Sequence, residues 1–238
     1  LRSGWKRQAS CAQSACVRVV PCAFDAARPM EAAGPADHFV RGAAAGFVGL
    51  AHWARGQLGP AIETFGEVVH HLAAAGNDTD ASGASVVIGA MTVANGQPAA
   101  AERLYRAALA RAAGVRSSGA AVLGDLHVGL ADVLREADRL QAAAEQLDQA
   151  AELGESASLP ENRFRWFVVR AGLQVAVGQF EAALADLAEA ERRYRPGFLP
   201  DIRPLHAARA RVLIRSGRLD EARAWARDHA VVDADPTD

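Results

Sequence analysis

Gly178-Gln179-Phe180-Glu181-Ala182-Ala183 is one of five related hexapeptides spread along the chain. The others are Gly56-Gln57-Leu58-Gly59-Pro60-Ala61, Gly96-Gln97-Pro98-Ala99-Ala100-Ala101, Asp138-Arg139-Leu140-Gln141-Ala142-Ala143 and Gly217-Arg218-Leu219-Asp220-Glu221-Ala222. Their first residues lie 40, 42, 40 and 39 positions apart, and so even a pitch marks a repeat architecture. The opening Gly ends a helix by taking the left-handed conformation that other side chains resist, and Asp138 is a tolerated substitute. The closing Ala begins the inner face of the next helix. A larger residue follows it by four positions and usually a small one by seven: Ala61, Phe65, Val68; Ala101, Tyr105, Ala108; Ala143, Leu147, Ala150; Ala183, Leu187, Ala190. That spacing puts each set on one helix face. The fifth copy keeps Ala222 but carries Ala226 at the large position, with Trp225 beside it.

The segments between turns read as helices over 38–55, 60–75, 82–95, 98–113, 119–136, 140–153, 161–177, 180–194, 203–216 and 219–229. Breakers separate them at Gly76-Asn77-Asp78, Gly114 to Gly119, Ser158-Leu159-Pro160 and Pro196 to Pro200. Ten helices pair into five hairpins, each burying its apolar face only against a neighbour. The expected fold is an all-α solenoid of tetratricopeptide-like repeats, with a pitch longer than the usual one of about 34 residues. HEAT repeats fit the length better but lack this turn.

Composition agrees. Of 238 residues, 55 are Ala and 25 Arg, with Lys6 the sole lysine; aromatics make up 6%. Alanine favours helices and is poor in strands. A net charge of −2 gives no general attraction to nucleic acid, and no apolar run reaches the roughly 18–20 residues that span a bilayer.

The first 36 residues differ. They hold Cys11, Cys16, Cys22 and Lys6, with five basic and two acidic side chains, whereas residues 37–238 hold 21 basic and 26 acidic ones. The cysteine spacing fits no usual zinc pattern. Arg18, Pro21 and Asp25 break any signal-peptide core. We expect 1–36 to be a poorly ordered or misannotated segment, with Met30 an alternative start, then a repeat domain over 37–232 and a tail over 233–238. The cysteine-free body suits a reducing cytoplasm.

Beyond the generic repeat, several segments resemble the repeat region of large ATP-dependent LuxR-type transcriptional regulators, the MalT-like group. They are His38 to Phe47 with Leu50 to Trp53, Gly124-Asp125-Leu126-His127-Val128-Gly129-Leu130, Leu159-Pro160-Glu161-Asn162-Arg163-Phe164-Arg165-Trp166, Arg203 to Val212, and Gly217 to Ala222 leading to Trp225-Ala226-Arg227. The resemblance covers about residues 37–232. It implies a phosphate-loop module before the repeats, a helix-turn-helix after them, and a repeat region that binds a small effector such as a sugar or a protein partner. No Gly-x4-Gly-Lys-Ser/Thr is present, and little chain follows the last repeat. The expectation is therefore the sensing and coupling part alone, without cofactor and binding neither ATP nor DNA by itself. A freestanding scaffold for a peptide or protein is the alternative.

Motifs for chemistry fail one by one. His70-His71 lacks the His-Glu-x-x-His pattern, and Asp125 and His127 are two apart where a helical metal pair needs four. Gly42, Gly46 and Gly49 fall inside an apolar helical pattern, which makes them packing glycines and not a nucleotide loop. Asn77-Asp78-Thr79 is a glycosylation sequon only in form. The expected activity is binding and not catalysis. Counting back from each turn puts Trp53, Asp125, Val128, Asp132, Arg135, Arg165, Val168 and Arg211 on the inward face. The candidate binding residues are Trp53, Asp125, Asp132, Arg165, Trp166 and Arg211. The two indoles could stack on a ligand while Asp125, Asp132 and Arg165 fix its polar groups. No catalytic or metal-binding residues are expected.

Overall fold

The computed structural model describes residues 34, 36–113, 120–195 and 205–228. The expectations for 1–33, for the breakers at Gly114–Gly119 and Pro196–Pro200, and for the tail after Asp228 lie outside the described residues. Those residues form ten α-helices and no strand: α1 His38–Ala54, α2 Leu58–Ala74, α3 Asp78–Ala94, α4 Pro98–Ala113, α5 Ala120–Glu136, α6 Leu140–Leu153, α7 Phe164–Ala176, α8 Phe180–Arg193, α9 Leu205–Arg215 and α10 Leu219–Asp228. A single 3-10 turn, Glu155–Ala157, lies between α6 and α7. This is the α-solenoid the repeat implied.

The five hairpin turns are built alike. Gly56, Gly96, Gly178 and Gly217 have φ between 74° and 78°, and Asp138 has φ 58°. At each turn, the amide of the following residue reaches back to a carbonyl of the preceding helix: Gln57 to His52, Gln97 to Thr92, Arg139 to Leu134, Gln179 to Gln174 and Arg218 to Leu213, all at 2.8–3.0 Å. This is the six-to-one closure that a left-handed residue makes possible. Gly76, between the first two hairpins, uses the same geometry, with Asn77 N–H on the Leu72 carbonyl.

Behind each turn the expected face is buried. Ala61, Ala101, Ala143, Ala183 and Ala222 are all inside, as are Phe65, Tyr105, Leu147 and Leu187 and then Val68, Ala108, Ala150 and Ala190. The odd-numbered helices also stack on one another, α3 on α5, α5 on α7 and α7 on α9. They form an inner layer backed by the even-numbered helices.

Three boundaries and one glycine differ from expectation. Helix α2 starts at Leu58, before Pro60, whose fixed φ and missing N–H suit a first turn. Helix α3 starts at Asp78 and not 82, because the Asn77 side chain accepts from Asp80 N–H at 3.3 Å and caps it. Helix α7 starts at Phe164 and not 161, because residues 158–162 are drawn into a turn on Asp125. In α1, a Cβ at Gly42 would stand 3.1 Å from Leu72 and one at Gly49 2.7 Å from Phe65, so both are packing glycines. Gly46 has ordinary space around it.

Candidate functional site

The inner layer encloses a groove with a cavity of about 460 Å³, the size range of small-molecule sites. Each odd-numbered helix contributes to its wall. Helix α1 gives Trp53; α3 gives Val86, Val87, Ala90 and Val93; α5 gives Gly129, Asp132, Arg135 and Glu136. Helix α7 gives Phe164, Arg165, Val168, Ala171, Gly172 and Val175, and α9 gives Ala208, Arg211, Val212 and Arg215. Tyr105 of α4 and Tyr194 and Arg195, just after α8, reach in from behind.

Of the six candidate residues, Trp53, Asp132, Arg165 and Arg211 line this one cavity. Asp125, expected on the inward face, and Trp166, expected to stack on a ligand, do not line it. The Asp125 carboxylate is buried and accepts from Ser158 Oγ, from Leu159 N–H at 3.1 Å and from Asn162 Nδ2 at 2.9 Å. Burial raises its pKa above the usual carboxylate value, with those hydrogen bonds and Arg165 opposing. It anchors the connection that carries Glu161, Asn162 and Phe164 to the rim and so acts from behind the wall. Trp166 turns the other way, donating from Nε1 to the Leu147 carbonyl at 3.1 Å. Its ring lies under the Arg170 guanidinium at 4.2 Å, and Arg170 pairs with buried Asp186 of α8. Val128, also expected inward, is buried with Leu147 and Val169.

The reason is a loop. The 3-10 turn and residues 158–162 fold back over the first half of α5, so closely that a Cβ at Gly124 would stand 2.7 Å from the Ala157 carbonyl. Only the second half of α5 opens to the groove. There Arg135 donates to Asp132 and to Glu136, each at 2.7 Å. Its chain lies over Gly172, where a Cβ would come within 2.7 Å of the Arg135 Cδ.

Tyr105, which the repeat pattern puts on a buried helix face, also lines the groove, a place that the pattern does not indicate. Its ring is fully buried between two glycines: a Cβ at Gly89 would stand 2.2 Å from it and one at Gly129 2.4 Å. Its hydroxyl donates to the Val86 carbonyl at 3.2 Å. Arg165 lines the same cavity as this ring; burial lowers the pKa of its guanidinium, but Tyr105, Asp125 and Asp132 raise it, and the charge is kept. A signal for it existed, since Gly49, Gly89 and Gly129 fall 40 residues apart.

Among the described residues, no cluster of three or more His, Cys, Asp or Glu side chains could hold a metal ion, and no helix is long and apolar enough to cross a membrane.

Fold and groove together define a tetratricopeptide-like repeat module. The family described as the MalT-like TPR region matches residues 26–237, and this chain belongs to it. No curated protein matches the chain.

Proposed function

We propose that this chain is the signal-sensing and partner-coupling module of a LuxR-type, ATP-dependent regulator of transcription, working in the cytoplasm by binding and not by catalysis. The observation that carries the reading is the single groove shared by the first helices of all five hairpins. An effector lodged there lies among residues of α1, α3, α5, α7 and α9, so it can favour one relative arrangement of the hairpins over another. A ligand shifts such an equilibrium only by its difference in affinity for the two states, and a groove crossing every hairpin seam supplies that difference.

Two measurements test this. A thermal-shift screen of cellular metabolites, sugars among them, should yield at least one stabiliser of the full chain. The hit should lose its effect in Ala90→Trp, which fills the groove, and keep it in Ala151→Trp on the outer face of α6. Stabilisers indifferent to Ala90→Trp would remove the groove from the proposal. Reading the coding DNA on both sides tests the regulatory context: a phosphate-loop module before the repeats and a helix-turn-helix after them support it. Unrelated genes and stop codons on both sides would favour the freestanding scaffold.

A further inference from the structure

The groove carries charge of the opposite sign to the module around it. Residues 37–238 hold 26 acidic and 21 basic side chains, and arginines on the outer faces are mostly held in ion pairs. Glu102 takes Arg106 and Arg139, Glu155 takes Arg163 and Arg193, and Glu181 and Glu221 take Arg218. At the α7–α9 end of the groove this pattern breaks. Arg195, Arg211 and Arg215 line the cavity, and among the described residues none has a carboxylate within ion-pair distance. Arg211 and Arg215 stand one turn apart on α9, a like-charge spacing that weakens a helix. Of the three carboxylates in the wall, Asp132 and Glu136 are both engaged by Arg135, which leaves Glu161 beside Arg165, Arg195, Arg211 and Arg215.

The other end is apolar. Helix α3 offers Val87, Ala90 and Val93, and α1 offers Trp53. We infer that the groove recognises a small amphipathic anion, with an apolar body against α3 and a carboxylate or phosphate head held by Arg195, Arg211 and Arg215. The inference rests on the reading of the groove as the effector site. The planar guanidinium fork matches both head groups, and a cavity of about 460 Å³ suits a small organic molecule better than a polypeptide.

Calorimetric titration of the full chain with octanoate, octyl phosphate and uncharged octyl glucoside tests it. At low salt at least one anion should bind, with the glucoside at least tenfold weaker. The double variant R211Q/R215Q should lose tenfold or more in anion affinity while its circular dichroism stays that of the parent, and added salt should weaken binding. The preference between octanoate and octyl phosphate then identifies the head group. Equal binding of glucoside and anions, unaltered in the double variant, would overturn the anion inference and leave the groove as an effector site. Failure of all three probes also overturns it, and the groove reading then stands or falls separately on the Ala90→Trp screen. Tight binding of a polyglutamate peptide, with none of the octyl anions, would assign the arginines to an acidic polypeptide instead.

Discussion

Tyr105 shows how one residue joins the core to the site. Its ring fills the space left by two missing side chains, its hydroxyl holds the Val86 carbonyl, and it lines the groove together with Arg165. Substituting Gly129→Ala puts a methyl 2.4 Å from that ring. The inner helices cannot part without opening the groove, so the expected cost is about 1–3 kcal/mol of overpacking, read as a lower urea midpoint. Gly66→Ala is the control: nothing lies within 4 Å of its Cβ position in α2, and it should gain about 1 kcal/mol from helix propensity. Equal midpoints for the two variants would mean that Tyr105 is not held by these glycines. The glycines were legible in the sequence at the repeat pitch, but the repeat was anchored on its turns. The left-handed Asp138 follows from the same logic, since its slot in the pattern demands such a residue. The burial of Asp125 does not, because no local signal tells which half of a helix a distant loop will cover.

At the scale of elements, the first hairpin carries a contact that depends on pH. His38 Nδ1 and His71 Nδ1 are 3.1 Å apart, joining the start of α1 to the end of α2, with His70 packed against both rings. One ring must remain unprotonated to accept this hydrogen bond. Burial lowers the His71 pKa below its ordinary value of 6.5, and His70, Arg41 and His38 lower it further, with Glu67 opposing. The folded state therefore resists taking up this proton. Stability present above pH 6.5 is lost as the pH falls through the lowered folded value. Melting temperatures measured between pH 7.5 and pH 5 should fall more steeply for the parent than for His71→Gln. Parallel profiles would show that the histidines do not control docking of this hairpin. The pairing of α1 with α2 followed from the turn at Gly56, whereas the meeting of His38 with His71 depended on the register at which the two helices packed.

For the whole molecule, each hairpin rests only on its neighbours, so stability is a sum of repeats and seams. A ligand in the groove touches several seams at once and should tighten them together. Hydrogen exchange with and without a groove ligand should show added protection in α3, α5, α7 and α9 alike. Protection confined to one helix would mean that the site reports on a single hairpin and does not couple the array. The sequence by itself determined the class of fold. A turn that only Gly or a tolerant Asp can make, followed by Ala and a large residue on one face, fixes a helical hairpin locally, and its regular recurrence fixes the stacking. Trp53, Asp132, Arg165 and Arg211 were placed by helical periodicity counted back from those turns. Only the tertiary structure decided that the connection from α6 to α7 folds over the front of α5, enclosing Asp125 and turning Trp166 to the outer seam. A loop follows no period, so its path is set by what it packs against.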